Sequence, residues 1–296
     1  SIPTLTNGTA APSPVALNVS STTTLRTAAF YPAGDLGPAN VDTHTFLFVG
    51  QVPGQQRPAA APVTWPGGAP GDYAIDSRIV SNAQPGYTMR DALLSIPTLS
   101  ITARPEDLWG SSGIYANSTA RGDAWERAAS AEWMEPSGAD GFHIEFGLAV
   151  HGNISRDKSF TPKHGLKMFF RSQYGESKLE HALFPDSSVT QFDQLILRAG
   201  STDTFPCLEW SAVGLGPNGT NYQRWARAWA SYVRDQWVRD TQIAMGHPSA
   251  HGRYCHLYLN GLYWGLYNIC EHPDEDFQAS HLGGAPADYD VLVDFA

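Results

Sequence analysis

The sequence predicts an α+β fold weighted towards β-structure, and three observations carry that prediction. Only 16% of the 296 residues are charged, too few to solvate many long surface helices. The chain holds 28 Gly and 21 Pro, which supply frequent turns. Between those turns run short stretches of alternating apolar and polar residues, with one longer stretch of helical period. Hydrophobic residues at 42% and aromatics at 11% suffice to bury a real core.

The elements follow in order along the chain. Thr22 to Phe30 alternates and is rich in Thr, Pro32-Ala33-Gly34-Asp35 is a turn, and Val41 to Val49 is strand-like, together the pattern of a small β-sandwich remnant over residues 1–50. Residues 51–98 form a connecting segment dense in Pro, Gly and Ala, with no core of its own. Trp65, Tyr73 and Tyr87 give that segment aromatic anchors, so it should wrap in an ordered way on its neighbours.

From residue 99 to 296 the pattern is a second unit, an antiparallel sheet with one long helix. Leu99 to Thr102 is a strand. Ala131 to Glu135 and Phe142 to Val150 form a hairpin turned by Gly138-Ala139-Asp140-Gly141. Leu166 to Phe170 is a further strand after a polar loop from His151 to Phe160. A helix is expected from Asn221 to Met245, where Trp225, Trp229, Tyr232, Val233, Trp237 and Ile243 recur at helical spacing as a core-facing stripe closed by Gly246 and Pro248. Asn260-Gly261 then supplies the positive φ angles of a type I′ turn between Tyr254–Leu259 and Leu262–Cys270.

Charge and motif content exclude several functions. A net charge of −10 argues against a nucleic-acid partner, because binding to phosphate backbones needs clustered cations. The longest apolar runs are of strand length, so no segment here spans a bilayer as a helix. Three cysteines, Cys207, Cys255 and Cys270, leave at least one free thiol and match no zinc spacing. Sequons at Asn7, Asn18, Asn117, Asn153 and Asn218 are compatible with an exported, cell-surface protein and equally with chance in a Ser/Thr-rich chain. The sequence lacks GxGxxG, Walker, HExxH and GxSxG motifs.

Candidate chemistry remains in a few places. Glu271, Asp274, Glu275 and Asp276, with Asp186 and Asp193 elsewhere, offer acid/base pairs or metal ligands, or simply a solvated surface. The ten histidines show no recognised metal-ligand spacing, and no metal residues are assigned. The loop around Gly152, Ser155 and Arg156 could wrap phosphate oxygens with backbone amides, or be an ordinary turn. Lys163 and Lys167 project from one strand face just after it, and Glu271 could reach such a lysine if their strands share a sheet. A plain surface ion pair is the alternative.

The stretch HGRYCHLYLNGLYWGLYNICEHPDEDFQASHLGG, followed by ADYDVL, closely resembles the CotH (spore coat protein H) kinase family, with its strand ending in LNG, its YWGLYN and its E-x-P-D-x-x-F. Leu195 to Asp203, Phe184-Pro185-Asp186 and Arg234-Asp235 also fit that family. Ser1 to Thr4, TTTLRTAAF and NVDTHTFLF resemble the last strands of a chitobiase/β-hexosaminidase C-terminal-like domain, so the chain reads as a fragment of a larger protein.

The resemblance implies an exported atypical protein kinase that uses ATP with Mg²⁺ or Mn²⁺ on a cell-surface or coat protein, with carbohydrate binding as an accessory property. It implies that Glu271 is the carboxylate of a lysine–glutamate pair, Lys163 the nucleotide-binding lysine, and His151 to Arg156 the phosphate loop. Arg198, Asp203, Arg234 and Asp235 are expected to form a buried ion-pair network. Where relatives read PKKS this chain has Pro162-Lys163-His164-Gly165, so Lys163 or Lys167 has to hold phosphates in place of the lost lysine, or activity is absent. The catalytic aspartates of the family are expected beyond Ala296. The competing expectation is a structural or adhesive surface protein built on a degenerate kinase-like scaffold.

Overall fold

A computed structural model describes residues 3–4, 7–12, 14–30, 41–65, 68, 70–82, 84–157, 161, 163–204 and 230–292. Its strands are β1 (Thr23–Ala28), β2 (Val41–Phe46), β3 (Thr98–Ala103), β4 (Arg127–Met134), β5 (Phe142–His151), β6 (Gly165–Phe169), β7 (Leu179–Glu180), β8 (Gln191–Phe192), β9 (Gln194–Arg198), β10 (Gly252–Leu259) and β11 (Leu262–Glu271). The helices are α1 (Ser77–Val80), α2 (Met89–Leu93), α3 (Pro105–Trp109), α4 (Arg234–Ala244) and α5 (Glu275–Leu282).

Period-2 alternation places one face of each long strand in the same core. Leu99 and Ile101 of β3, Phe146 and Leu148 of β5, Leu166 and Met168 of β6, Leu195 and Leu197 of β9, Leu257 and Leu259 of β10 and Ile269 of β11 are all fully buried in one cluster. A flat sheet would leave its two edges unpaired. Here the sheet curls until β3 meets β10, closing a seven-stranded barrel in the order β10-β11-β9-β6-β5-β4-β3. A ring with an odd number of strands cannot be antiparallel throughout. The β3·β10 contact is accordingly parallel, registering Thr98 with His256 and Ile101 with Leu259, while the other six contacts are antiparallel.

The two hairpins expected from sequence are present, β4–β5 and β10–β11. The second turns on Asn260 (φ 50°) and Gly261 (φ 78°), as a type I′ turn requires. Its register shifts after Leu257, which faces Gly265, whereas Tyr258 faces Tyr263. The extra residue is Trp264, and Gly265 absorbs the bulge at φ 126°. The bulge aims Trp264 into a group of rings with Trp65, Tyr73, Trp109 and Tyr115, at centroid distances of 5.4 to 6.2 Å. Trp65 and Tyr73 therefore anchor the 51–98 segment as expected. Tyr87 does not, being 71% exposed.

The same segment buries the outer side of β10. Val52 and Leu93 pack on Tyr258, and His256 reaches Ala92 O (Nε2, 2.8 Å). That double burial explains the nearly unbroken apolar run in β10.

Among the described residues the segment read as a sandwich remnant is a two-stranded ribbon of β1 and β2. The ribbon lies on the barrel, with the Thr45 hydroxyl donating to Glu132 Oε2 (2.5 Å) and Arg26 paired with Glu145 (3.8 Å). The long helix departs from expectation in two ways. It starts at Arg234, because Tyr232 sits at φ 64°, outside the right-handed helical region. Residues 221–229, with Trp225 and Trp229, lie outside the described residues. Of the stripe's described residues, Val233 and Trp237 are exposed, at 51% and 67%, and Gln236 is the buried residue of α4.

Asn260 also stitches the hairpin to β3, donating its N–H to Ile101 O (2.8 Å) and accepting from Ala103 N–H at Oδ1 (2.9 Å). Asn260→Ala should lower the urea-unfolding free energy by about 1–3 kcal/mol, through the strained left-handed backbone and the unpaired Ala103 amide. Asn260→Gly keeps the backbone freedom and should lose only about 1 kcal/mol.

Candidate functional site

The last residues of β11 lead through His272-Pro273 into α5, whose N-cap is Asp274, accepting from Phe277 N–H at 3.0 Å. This corner and the β7–β8 hairpin frame a cleft of about 270 Å³. Glu271, Asp274, Asp276 and Asp193 line it, with Lys178 at its margin. The two acidic groups separated in sequence thus meet in space, apart from Asp186 and Glu275, which are not among the lining residues.

The carboxylates differ in environment. Asp274 accepts from His272 Nδ1 (2.9 Å) and from the Gln194 amide. Burial alone would raise its carboxyl, but the hydrogen bonds from His272 and the Phe277 amide outweigh that and hold it below the usual range. Asp276 is raised, by burial and by the negative Asp193 beside it. Asp193 in turn is held by Lys178 Nζ at 2.9 Å. Glu271 takes His251 Nδ1 on Oε2 and His281 Nε2 on Oε1, each at 2.8 Å, and the His251 backbone N–H on Oε2 at 2.8 Å. Burial opposes its ionisation, and the histidine hydrogen bonds overcome that opposition.

The structure distributes the sequence-predicted residues differently from expectation. Lys167, on the outer side of β6, senses the Asp274 charge, yet burial holds its ammonium down to about 8. His151 beside it is pushed to about 3, by burial and then by the Lys167 charge, so it is neutral. Lys163 does not meet Glu271. Its Nζ donates to Leu266 O (2.6 Å) and lies over the Tyr267 ring at 4.6 Å, and burial lowers it to about 8.

The loop after β5 is tied to the protein itself. Arg156 Nε donates to Gly152 O (2.7 Å) and its Nη1 to Ala120 O (2.8 Å). Gly152 has φ 121°, and a Cβ there would come within 2.2 Å of Ser155 Oγ. The loop springs from the row of His151 and Gly165, while Glu271 lies on the row of Leu195 and Met168, three positions or about 10 Å along the sheet. Gly152, Ser155 and Arg156 therefore stand at one end of the sheet and Glu271 at the other, in the row of core-facing Leu195 and Met168, whereas Lys167 projects from the outer face.

The expected ion pairs form, Arg198–Asp235 at 2.7 Å and Arg234–Asp203 at 3.1 Å. They are not buried, since the Arg198 and Asp235 side chains are 44% and 49% exposed. The buried polar centre of this region is instead Gln236, Arg239 and Asn268, where Arg239 Nη2 donates to Asn268 Oδ1 (2.6 Å) and Asn268 Nδ2 to Gln236 Oε1 (2.9 Å). Sequence reasoning also missed His251 and His281. They lie 20 residues before and 10 after Glu271, a spacing that no local motif marks. Cys255 and Cys270 are free, buried thiols, and Cys207 lies outside the described residues.

The enclosed lysine gives a pH signature. Unfolded, Lys163 binds its proton up to about 10.5, whereas in the folded protein it releases it near 8. The unfolded chain thus holds more protons across that window, and stability rises with pH through it. Lys163→Met should flatten this rise and gain about 1–3 kcal/mol at pH 7 relative to its own parent trend, measured by urea unfolding at pH 7, 9 and 10.5.

A search of curated proteins finds no match to this chain. Residues 229–293, which carry α4, β10, β11 and α5 and hence one wall of the cleft, match the family model described as CotH kinase protein.

Proposed function

We propose that this chain is part of an exported CotH-like atypical protein kinase, transferring phosphate from ATP to a hydroxyl of a cell-surface or coat protein. The observation that carries the reading is the coincidence of two things. The family match covers β11 and α5, and those elements line the cleft where Lys178 and four carboxylates converge, with Lys167 near enough to feel the Asp274 charge.

The lining fits a metal-bridged polyphosphate better than a bare one. Asp193, Asp274, Asp276 and Glu271 outnumber Lys178 in the lining, even with Lys167 nearby, so a polyanion gains entry only with divalent cations. Asp193 and Asp276 supply the oxygen ligands that Mg²⁺ or Mn²⁺ prefers, and cation binding would oppose the proton retention that Asp276 shows beside Asp193. Bound Mg-ATP would supply the transferable γ-phosphoryl group. Lys167 is the cation we assign to the phosphate oxygens, since Lys163 is engaged by Leu266 O and aromatic rings. Asp274, fixed by His272, Gln194 and the Phe277 amide, orients the Lys167 side of the cleft.

A second reading, a structural or adhesive surface protein on a degenerate kinase-like scaffold, is favoured by the internal commitments of Arg156 and Lys163. Calorimetric titration with ATP and Mg²⁺ or Mn²⁺ separates the two. The kinase reading expects saturable, metal-dependent binding that weakens at least about tenfold in Lys167→Ala, a loss of about 1.4 kcal/mol. Absence of saturable binding at millimolar nucleotide would leave the scaffold reading.

A further inference from the structure

We propose that His251, Glu271 and His281 form a binding site for a divalent transition metal of the zinc class, which clasps α5 to the end of the barrel. The inference goes beyond the nucleotide reading and does not rest on it.

The three residues arrive from three elements. His251 directly precedes β10, Glu271 is the last residue of β11, and His281 sits in the last turn of α5. Their donor atoms all lie within 4.8 Å of one another. His251 Nδ1 is 2.8 Å from Oε2 and His281 Nε2 is 2.8 Å from Oε1 of the same carboxylate. Each imidazole therefore points a ring nitrogen at a different oxygen of the one carboxylate, which gathers both rings around it. Neutral imidazole exposes a lone pair there by moving its proton to the other ring nitrogen, so coordination requires a tautomer change and no net ionisation.

The fit is close in distance. Metal–ligand bonds of about 2.0–2.1 Å in a tetrahedral site place ligand atoms about 3.3 Å apart. Each imidazole nitrogen needs to retreat by about half an ångström from its hydrogen-bonded oxygen, and the widest donor pair, at most 4.8 Å apart, to draw in by no more than about 1.5 Å, which side-chain rotation supplies. Two imidazoles and one carboxylate form the donor set of zinc and related borderline ions, whereas Mg²⁺ and Ca²⁺ prefer oxygen alone. The site is thereby chemically distinct from the oxygen-only Asp193–Asp276 pair.

The surroundings suit an ion as well. Glu271 is 3% exposed and His251 is 7% exposed. The Phe184 ring lies 6.2 Å from His251 and the Phe277 ring 4.4 Å from His281, so apolar walls strengthen the attraction between cation and carboxylate. On the remaining side Glu271 lines the cleft, through which a water or a small anion supplies a fourth ligand.

The test uses the chain freed of metal by chelation and titrated with zinc chloride or cobalt chloride at neutral pH, without nucleotide. The expected result is one metal ion per chain, visible d–d bands of low-coordinate cobalt, and a raised melting temperature. His281→Gln is the informative variant, because its amide can still donate to Glu271 but offers no imidazole. It should keep the far-UV spectrum and weaken zinc binding by more than about a hundredfold, beyond the 10–100-fold typical of losing an outer partner. His247→Ala, at an exposed histidine, should change neither. Failure of zinc to bind at millimolar concentration, or binding that survives His281→Gln, would overturn the proposal and leave a hydrogen-bonded strut.

Discussion

The single parallel contact between β3 and β10 closes the ring, and the positions of the cleft, the covering segment and α5 all follow from that closure. An odd ring needs one such contact, and placing it between the first and the sixth barrel strand in chain order threads β11 between β10 and β9. Glu271 then ends in the row of Leu195 and Met168, and the chain must leave the barrel there. The Asn260 hydrogen bonds to Ile101 and Ala103 hold the far end of the same seam. Closure also leaves no open barrel edge for another chain to extend.

Electrostatics at the β11–α5 corner are organised by burial more than by exposed ion pairing. Asp274 and Glu271 remain ionised because each collects two or more hydrogen-bond donors, while Asp276 retains its proton more readily beside Asp193. Lys163 and Lys167 are held low by the same desolvation that surrounds them. The opposed shifts of Asp274 and Asp276 within one cleft are a mark of functional sites. By contrast, the exposed pairs Arg198–Asp235 and Arg234–Asp203 contribute little to stability, about 0–1 kcal/mol each.

What was legible in the sequence was local. The period-2 runs and the Asn260-Gly261 turn specified both hairpins, because a type I′ turn depends only on adjacent residues. The end of α4 was equally readable from Gly246, which has φ 82°. Its start was not, since nothing in the composition around Tyr232 announces a left-handed backbone held by the Tyr254 hydroxyl on Tyr232 O (2.6 Å). Partner identity was the hidden quantity. Alternation says that Glu271 has a face, not that this face meets His251 and His281, and a lysine two residues before β6 carries no sign that it will fold under Leu266. The acidic clusters were visible as residues, but only the cleft brought Asp193 to Asp276.

The seam has a consequence for biosynthesis. Thr98 pairs with His256, 158 positions later, so the outer edge of β3 has no partner until nearly the whole barrel sequence has been translated. At roughly 5–20 residues per second that interval is on the order of 8–32 s. Any sheet that β3 to β6 form before then keeps β3 as an open margin until β10 arrives, the kind of edge that another strand can pair with.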